Sequence, residues 1–512
     1  MTTYTGIHTR RALLCGISAV ALAAMPLAAA PVARAQAGGV AGPARTAVPP
    51  LAWRACERPG GPAGQECADL PVPLDYRHPD GPRLTLAVTR IRSDRPAARR
   101  GTLLMIPGGP GSSGVQWLEQ KGEALRRQLA GAYDIVSLDP RGVGGSTKAA
   151  CGLAAADREL VTLRSWPAAD GGIGANVRRA RRIAEACGHN GGAVLRSFST
   201  ANEVRDIDRF RRALGERKLS AWGVSYGTYV GAVYAQKYPQ RTDRWVLDSS
   251  GDPDPARVER GWLANMAQAA DDRFPDFASW AADPARDAAG LRLAQRADAV
   301  RPLVLGLAAK LDREPKPSNV PGVPLTGNRL RQSLQIALYD GSAFPQLARL
   351  IKAAQDPAGT PELPGDIAGP LPDADAAVTV ATICNDVRWP RSVDTYRRAV
   401  AADRARHPLT AGMPANITPC AFWKDAPAEP PTRITADGPS DVLMIQNLRD
   451  PSTPYFGARK MRAAFGDRAR LVTVGRGGHG VYLANGNACG DRAVTSFLTT
   501  GQRPERDVYC AG

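Results

Sequence analysis

The segment Gly223-Val224-Ser225-Tyr226-Gly227 lies between a short apolar run at 219–222 and a helix-permissive stretch that continues through Ala235. A strand, a cramped turn and a helix read this way, and the two glycines leave room for a backbone that pushes a serine hydroxyl out above the edge of a sheet. Such a hydroxyl attacks carbonyl carbon when a neighbouring base takes its proton and an acid orients that base. Alone the pattern is weak, because Gly-x-Ser-x-Gly arises by chance roughly 0.2 times in a chain of this length and composition. The remaining parts must come from elsewhere in the chain.

When the serine turn sits on a parallel sheet, the acid and then the histidine follow it in chain order. Of the histidines beyond the first ten residues, this order removes His78 and His189 and leaves His407 and His479. His407 follows Arg404-Ala405-Arg406, which reads as the end of a surface helix, whereas His479 lies in the glycine-rich 475–480 after an apolar run. His479 is therefore the candidate base. The acid belongs at the end of the preceding strand, where Asp450 stands in 447–454; Asp441 lies at the wrong end of that strand and Asp467 beyond the following helix. A cap on a helix starting near Pro454 is the alternative role for Asp450. Two backbone N–H groups must meet the developing oxyanion, and Tyr226, next after the serine, and Gly109, in the turn 107–111, are the candidates. That turn lacks the Gly-Lys-Ser/Thr of a phosphate loop.

These residues must be held by strands. Residues 83–91 alternate polar and apolar, and the continuous apolar runs 102–106, 133–138, 219–222, 244–248, 441–446 and 470–474 read as buried strands, the last closing the sheet. Helical stretches at 115–129 and 202–214 fall between them, so the class is α/β: a mostly parallel sheet flanked by helices. From 252 to 435 the strand signal stops, and helical stretches at 260–270, 287–311, 329–339 and 343–354 alternate with proline-rich connectors. The division this implies is a core at 51–251, a helical cap or lid at 252–435, and a second core segment at 436–512 carrying Asp450 and His479.

The chain has 512 residues, 44% hydrophobic and 22% charged, as in an ordinary globular protein. Its net charge of +17 is scattered arginine rather than a basic stripe, which argues against a nucleic-acid partner. Residues 1–35 read as an export signal of twin-arginine type, with Arg10-Arg11, an apolar stretch and Ala33-Arg34-Ala35; residues 36–50 form an Ala/Gly/Pro leader or propeptide. No later segment is apolar enough to span a membrane. Export predicts a secreted, extracellular protein in which disulfides persist. Setting aside Cys15, the nine cysteines leave eight, and proximity pairs Cys56 with Cys67, Cys151 with Cys187, Cys384 with Cys420, and Cys489 with Cys510. No cysteine or histidine spacing marks a metal site, and no cofactor is implied.

In order, Pro107-Gly108-Gly109-Pro110-Gly111, Asp139-Pro140-Arg141-Gly142 through Ser146, the Ser225 turn, Arg449-Asp450-Pro451 and Gly478-His479-Gly480 resemble the α/β-hydrolase-fold prolyl aminopeptidases. The likeness is closer to the secreted tripeptidyl aminopeptidases. One departure is Pro107, where prolyl aminopeptidases carry histidine. The resemblance implies a serine exopeptidase that takes short peptides from free N-termini, with Asp139 and Arg141 bracing the glycine-rich turn and the chain acting as a monomer. A free α-amino group calls for a carboxylate or carbonyls facing the site from the cap, and Asp386, close to Cys384, is the candidate. An esterase or small-amide hydrolase, a prolyl aminopeptidase and a non-catalytic binding protein on the same scaffold are the rival readings.

Overall fold

The computed structural model describes residues 49–56 and 61–512. The expected export signal at 1–35, and the leader at 36–50 except its last two residues, lie outside them. Ten strands form one sheet: β1 (Arg54–Ala55), β2 (Gln65–Pro73), β3 (Arg83–Ile91), β4 (Gly101–Ile106), β5 (Tyr133–Leu138), β6 (Leu219–Val224), β7 (Thr242–Asp248), β8 (Val442–Arg449), β9 (Ala469–Gly477) and β10 (Val508–Cys510). Their order is β1-β2-β3-β5-β4-β6-β7-β8-β9-β10. Pairing is antiparallel from β1 to β5 and parallel from β5 to β10.

The continuous apolar runs are explained by burial on both faces. Period-two alternation sends Leu104 and Ile106 of β4, Ala221 of β6 and Met444 of β8 into one core. Leu103 and Met105, Trp222, and Leu443 and Ile445 enter the other. Helices Thr200–Ala213 and Tyr226–Lys237 cover the first face, and Gly114–Gln128 and Ala488–Thr500 cover the second.

Three strands escape the apolar-run reading. β2 carries Pro71, Pro73 and three polar residues, and β1 and β10 have only two and three residues. The sheet therefore does not end at β9, because β10 adds to its edge with Val508 opposite Val472. The described cysteines form four disulfides, Cys56–Cys67, Cys151–Cys187, Cys384–Cys420 and Cys489–Cys510, the pairs suggested by proximity.

Between β7 and β8 lie helices Val258–Ala282, Ala297–Arg313, Gly327–Ala337, Phe344–Gln355, Asp373–Asp386 and Val393–Arg406. The first runs past the expected 270 and through Pro275, held by Phe274 and Phe277 in the insertion's own core. The helix expected from 287 begins at Ala297 instead, because Gly290 turns left-handed (φ 63°) and breaks the chain there. Residue 251 does not divide the packing. Trp166 Nε1 donates to Gln332 at 2.9 Å and Arg329 pairs with Glu159 at 2.7 Å, so part of the earlier segment is built into the insertion.

Candidate active site

Ser225 ends β6 with φ 59° and ψ −124°, a backbone shape that non-glycine residues rarely hold, and helix Tyr226–Lys237 begins immediately after it. Both flanking glycines are required by close approach. A Cβ on Gly223 would stand 2.5 Å from the Gly227 carbonyl, and one on Gly227 would stand 2.3 Å from the Ile106 carbonyl at the end of β4. The turn is thus pressed between β4 and its own helix, and the Ser225 N–H donates to the Asp248 carbonyl at 3.0 Å.

Asp450 follows β8 and is 1% exposed. It accepts from the Ser452 and Thr453 N–H groups at 2.9 Å each, from the Thr453 hydroxyl at 3.0 Å and from Gln446 at 3.3 Å. It does not cap helix Tyr455–Phe465, whose N-cap is Pro454 without a side-chain bond. Its remaining partner is His479, whose Nδ1 lies 3.0 Å from both carboxylate oxygens.

His479 sits just past β9, in a turn fastened on three sides. Its own N–H donates to the Tyr339 carbonyl at 2.8 Å, from the insertion, and the Tyr339 ring lies edge-on at 5.1 Å. Gly480 N–H donates to Ser249 Oγ at 2.9 Å, and the Val481 and Tyr482 N–H groups reach the Asp248 carboxylate at 3.0 and 2.9 Å. Asn447 Nδ2 bridges the Gly478 and Gly480 carbonyls at 2.9 and 3.1 Å. Burial opposes the imidazolium, but the charge and hydrogen bond of Asp450, with a smaller part from Asp248, outweigh it and raise the histidine above its ordinary 6.5. With Nδ1 engaged by Asp450, Nε2 is the ring nitrogen left to take a proton.

Ser225 and His479 line one cavity of about 900 Å³ between the sheet and the insertion, within the range of small-molecule and peptide sites. Gly109 and Tyr226 line it too. The turn 107–111 lies directly against the serine, since a Cβ on Gly108 would stand 3.1 Å from Ser225 Cβ. Tyr226 opens its helix, where the first N–H groups lack intrahelical acceptors. Asp139, expected to brace this turn, instead holds the start of helix Gly114–Gln128 just after it and its own loop: its carboxylate accepts from Ser113 Oγ at 2.5 Å, Val115 N–H at 3.1 Å and Gly145 N–H at 2.9 Å. Arg141 departs from the role implied for it. It forms a buried two-pronged pair with Asp206 at 2.7 and 2.9 Å and donates to the Pro73 and Leu74 carbonyls, fastening β2 to helix Thr200–Ala213 rather than holding the turn.

Asp386 is not among the residues lining the cavity. It ends helix Asp373–Asp386 and accepts from the Thr200 N–H at 3.0 Å and the Thr200 hydroxyl, so its carboxylate is spent on the start of another helix. The carboxylates that do line the cavity from the insertion are Glu259, buried and eleven residues past β7, and Asp375, half exposed in helix Asp373–Asp386. Of the other histidines, His78 is exposed beside Asp75, and His189 is exposed near the end of helix Gly174–Asn190. His407 is buried, not superficial, because Asp271 of the facing helix meets its Nδ1 at 2.6 Å. Sequence reasoning also missed Asp248, Ser249 and Tyr339; the first two carried a signal, a polar pair at the carboxyl end of a buried strand. Among the described residues no three His, Cys, Asp or Glu side chains gather as a metal site.

A family model described as TAP-like protein matches residues 407–510. The chain is 32% identical to a tripeptidyl aminopeptidase of Streptomyces lividans over 491 residues, covering 93% of this chain and 89% of that one. It is 29% identical to the serine protease Hip1 of Mycobacterium tuberculosis, covering 92% and 94%. It is also 29% identical to a protein named carboxylesterase B from Mycobacterium tuberculosis, covering 96% of each.

Proposed function

Because this chain belongs to the tripeptidyl aminopeptidase family of α/β-hydrolase-fold serine peptidases, we propose that it releases short peptides, tripeptides foremost, from the free N-termini of peptide chains. The observation that carries the reading is that the strained Ser225 and His479 line one cavity, with Asp450 behind the ring at 3.0 Å from Nδ1. Ser225 Oγ attacks the scissile carbonyl as His479 takes its proton; Asp450 holds the imidazole's orientation and stabilises the imidazolium. The oxyanion is met by the Gly109 and Tyr226 N–H groups. His479 then passes the proton to the departing amine as the C–N bond breaks, and a water, deprotonated by the same ring, releases the acyl group from Ser225.

The 252–435 segment acts as a cap that admits chain ends and excludes folded chains. The protein is exported through the twin-arginine signal at 1–35 and works outside the cytoplasm as a monomer; the four disulfides support that compartment. No helix among the described residues is long and apolar enough to cross a membrane.

A second reading, an esterase using the same residues, is favoured by the relative named carboxylesterase B. A panel of tripeptide anilides, their N-acetyl forms and simple aryl esters separates the two. The proposal expects the free tripeptide anilide to have the highest kcat/KM, at least about 100-fold above its N-acetyl form, because a buried charge contact is lost on acetylation. Equal rates on blocked and free peptides would overturn it, and dominance of the esters would move the reading to an esterase.

A further inference from the structure

Among the described residues two side chains of permanent positive charge line the cavity, Lys148 and Arg164, and they are in opposite circumstances. Lys148 is half exposed and faces the Asp375 carboxylate at 3.6 Å. Arg164 is half-buried, and no carboxylate among the described residues pairs with it; its Nη1 meets the Met266 sulfur at 3.8 Å. A guanidinium carries five N–H donors in a fixed fork, and a thioether is a weak acceptor for one of them. The remaining donors of Arg164 have no anion to meet.

The position of Arg164 is fixed all the same. It follows the short helix Leu160–Leu163, and its neighbours in the chain are tied down on both sides. Glu159 pairs with Arg329 at 2.7 Å, and Trp166 Nε1 donates to Gln332 at 2.9 Å. Ser165 Oγ donates to the Ile417 carbonyl at 2.5 Å, and Asn416 Nδ2 donates to the Ser165 carbonyl at 2.6 Å. The second pair of bonds laces 164–166 to 416–418 and brings Thr418 to the same wall. Thr418 lines the cavity at 7% exposure, and its hydroxyl has no hydrogen-bond partner among the described residues. Around these two groups the lining is apolar, with Leu160, Leu163, Leu263, Met266 and Met413. Glu259, the buried carboxylate of the cavity, stands on the first turn of helix Val258–Ala282, seven residues or about 10 Å before Met266. The acid and Arg164 therefore occupy separate levels of the wall.

We infer that Arg164, with the Thr418 hydroxyl, receives a carboxylate of the peptide substrate. The inference rests on the exopeptidase reading and adds an acidic substrate class to it. The planar fork of a guanidinium matches the two oxygens of a carboxylate, and a hydroxyl supplies one more donor. Because the segment is held before any substrate arrives, little ordering is needed for that contact to form. A peptide offers a carboxylate in two forms: an Asp or Glu side chain among the residues released, or the C-terminus of a chain short enough to end inside the cavity.

The test compares kcat/KM on tripeptide anilides that differ only by Glu against Gln at one of the three positions, and on tetrapeptides that differ only by a free against an amidated C-terminus. The unsubstituted protein is expected to prefer the acid about 10-fold in one of these pairs, chiefly through KM, and the pair that shows it identifies the source. Raising the salt concentration is expected to shrink the preference, since Arg164 is open to solvent on one side. Arg164→Gln is expected to abolish it, and Arg164→Lys, which keeps the charge and loses the fork, to retain part. Thr418→Val is expected to lower it about 3-fold. Fluorophosphonate labelling of Ser225 reads whether the site has formed, and every variant is expected to label. A protein indifferent to acid against amide in all of the pairs would overturn the inference, as would a preference that survives intact in Arg164→Gln. Loss of labelling in both Arg164 variants would also overturn it, by making Arg164 a folding residue. Failure of the exopeptidase reading is distinguishable, because N-acetyl anilides would then be cleaved as fast as free ones whatever the ratio of acid to amide.

Discussion

The core side and the insertion side of the cavity keep their buried carboxylates in opposite states. Asp450, behind His479, is ringed by four donors besides the histidine and belongs to a turn that its own oxygens organise. Glu259, on the first turn of the long insertion helix, has none. The difference is one of provision: the core side supplies its acid with donors from its own turn, while the insertion side leaves Glu259 to burial, which favours its neutral, protonated form.

The largest effect that would sharpen the contrast is Asp450→Asn. It is expected to lower kcat/KM on a tripeptide anilide by about 10⁴-fold, since the amide cannot hold the imidazole's tautomer or stabilise its cation. The same change weakens the acceptor of two backbone N–H groups and should cost about 2 kcal/mol of stability, visible by calorimetry. An Asp450→Asn protein with undiminished activity would remove it from the centre altogether.

Glu259→Gln should move stability the other way. A carboxyl whose folded pKa is raised holds a proton that the unfolded chain has lost, so stability declines as pH rises from the ordinary value of 4.5 toward the folded one. Replacing it with a neutral side chain removes that decline. The variant should match the parent near pH 5 and exceed it near pH 8, by on the order of 2 °C in Tm. A loss of Tm at both pH values would show Glu259 to be as satisfied as Asp450 and would break the comparison. Glu203, which burial pushes up to about 8, supplies a background slope of the same sign in both proteins.

The smallest expected effect lies in the acid limb of the kcat/KM profile. His479 must be neutral to act as base, so activity falls as pH drops through its raised pKa, and the midpoint should lie above 6.5. A midpoint below 6.5 would mean that burial, not Asp450, dominates the ring.

Much of this arrangement is legible in the sequence because it is local. An apolar run followed by glycine, serine or aspartate states both a buried strand and what its carboxyl end presents, and β4, β6, β8 and β9 all read this way. β2 is not legible, since Pro71 and Pro73 argue against a strand until β3 is seen pairing along its whole length. The arginine-rich approach to His407 reads as surface until Asp271, well over a hundred residues earlier, is seen against it.

The sequence by itself determines the order of turns around the sheet, the elbow that strains Ser225, and which acid and which histidine can follow it, because each depends on spacing within a few residues. Only the tertiary structure decides which insertion carboxylates meet the cavity. Asp386 and Glu259 are both acids on helices and look alike in the chain. Asp386 ends its helix against the Thr200 N–H and is consumed there, whereas Glu259 stands on a face turned to the cavity with no donor in reach. Whether a buried charge is satisfied depends on groups brought in from distant segments, and that information exists only once the chain has folded.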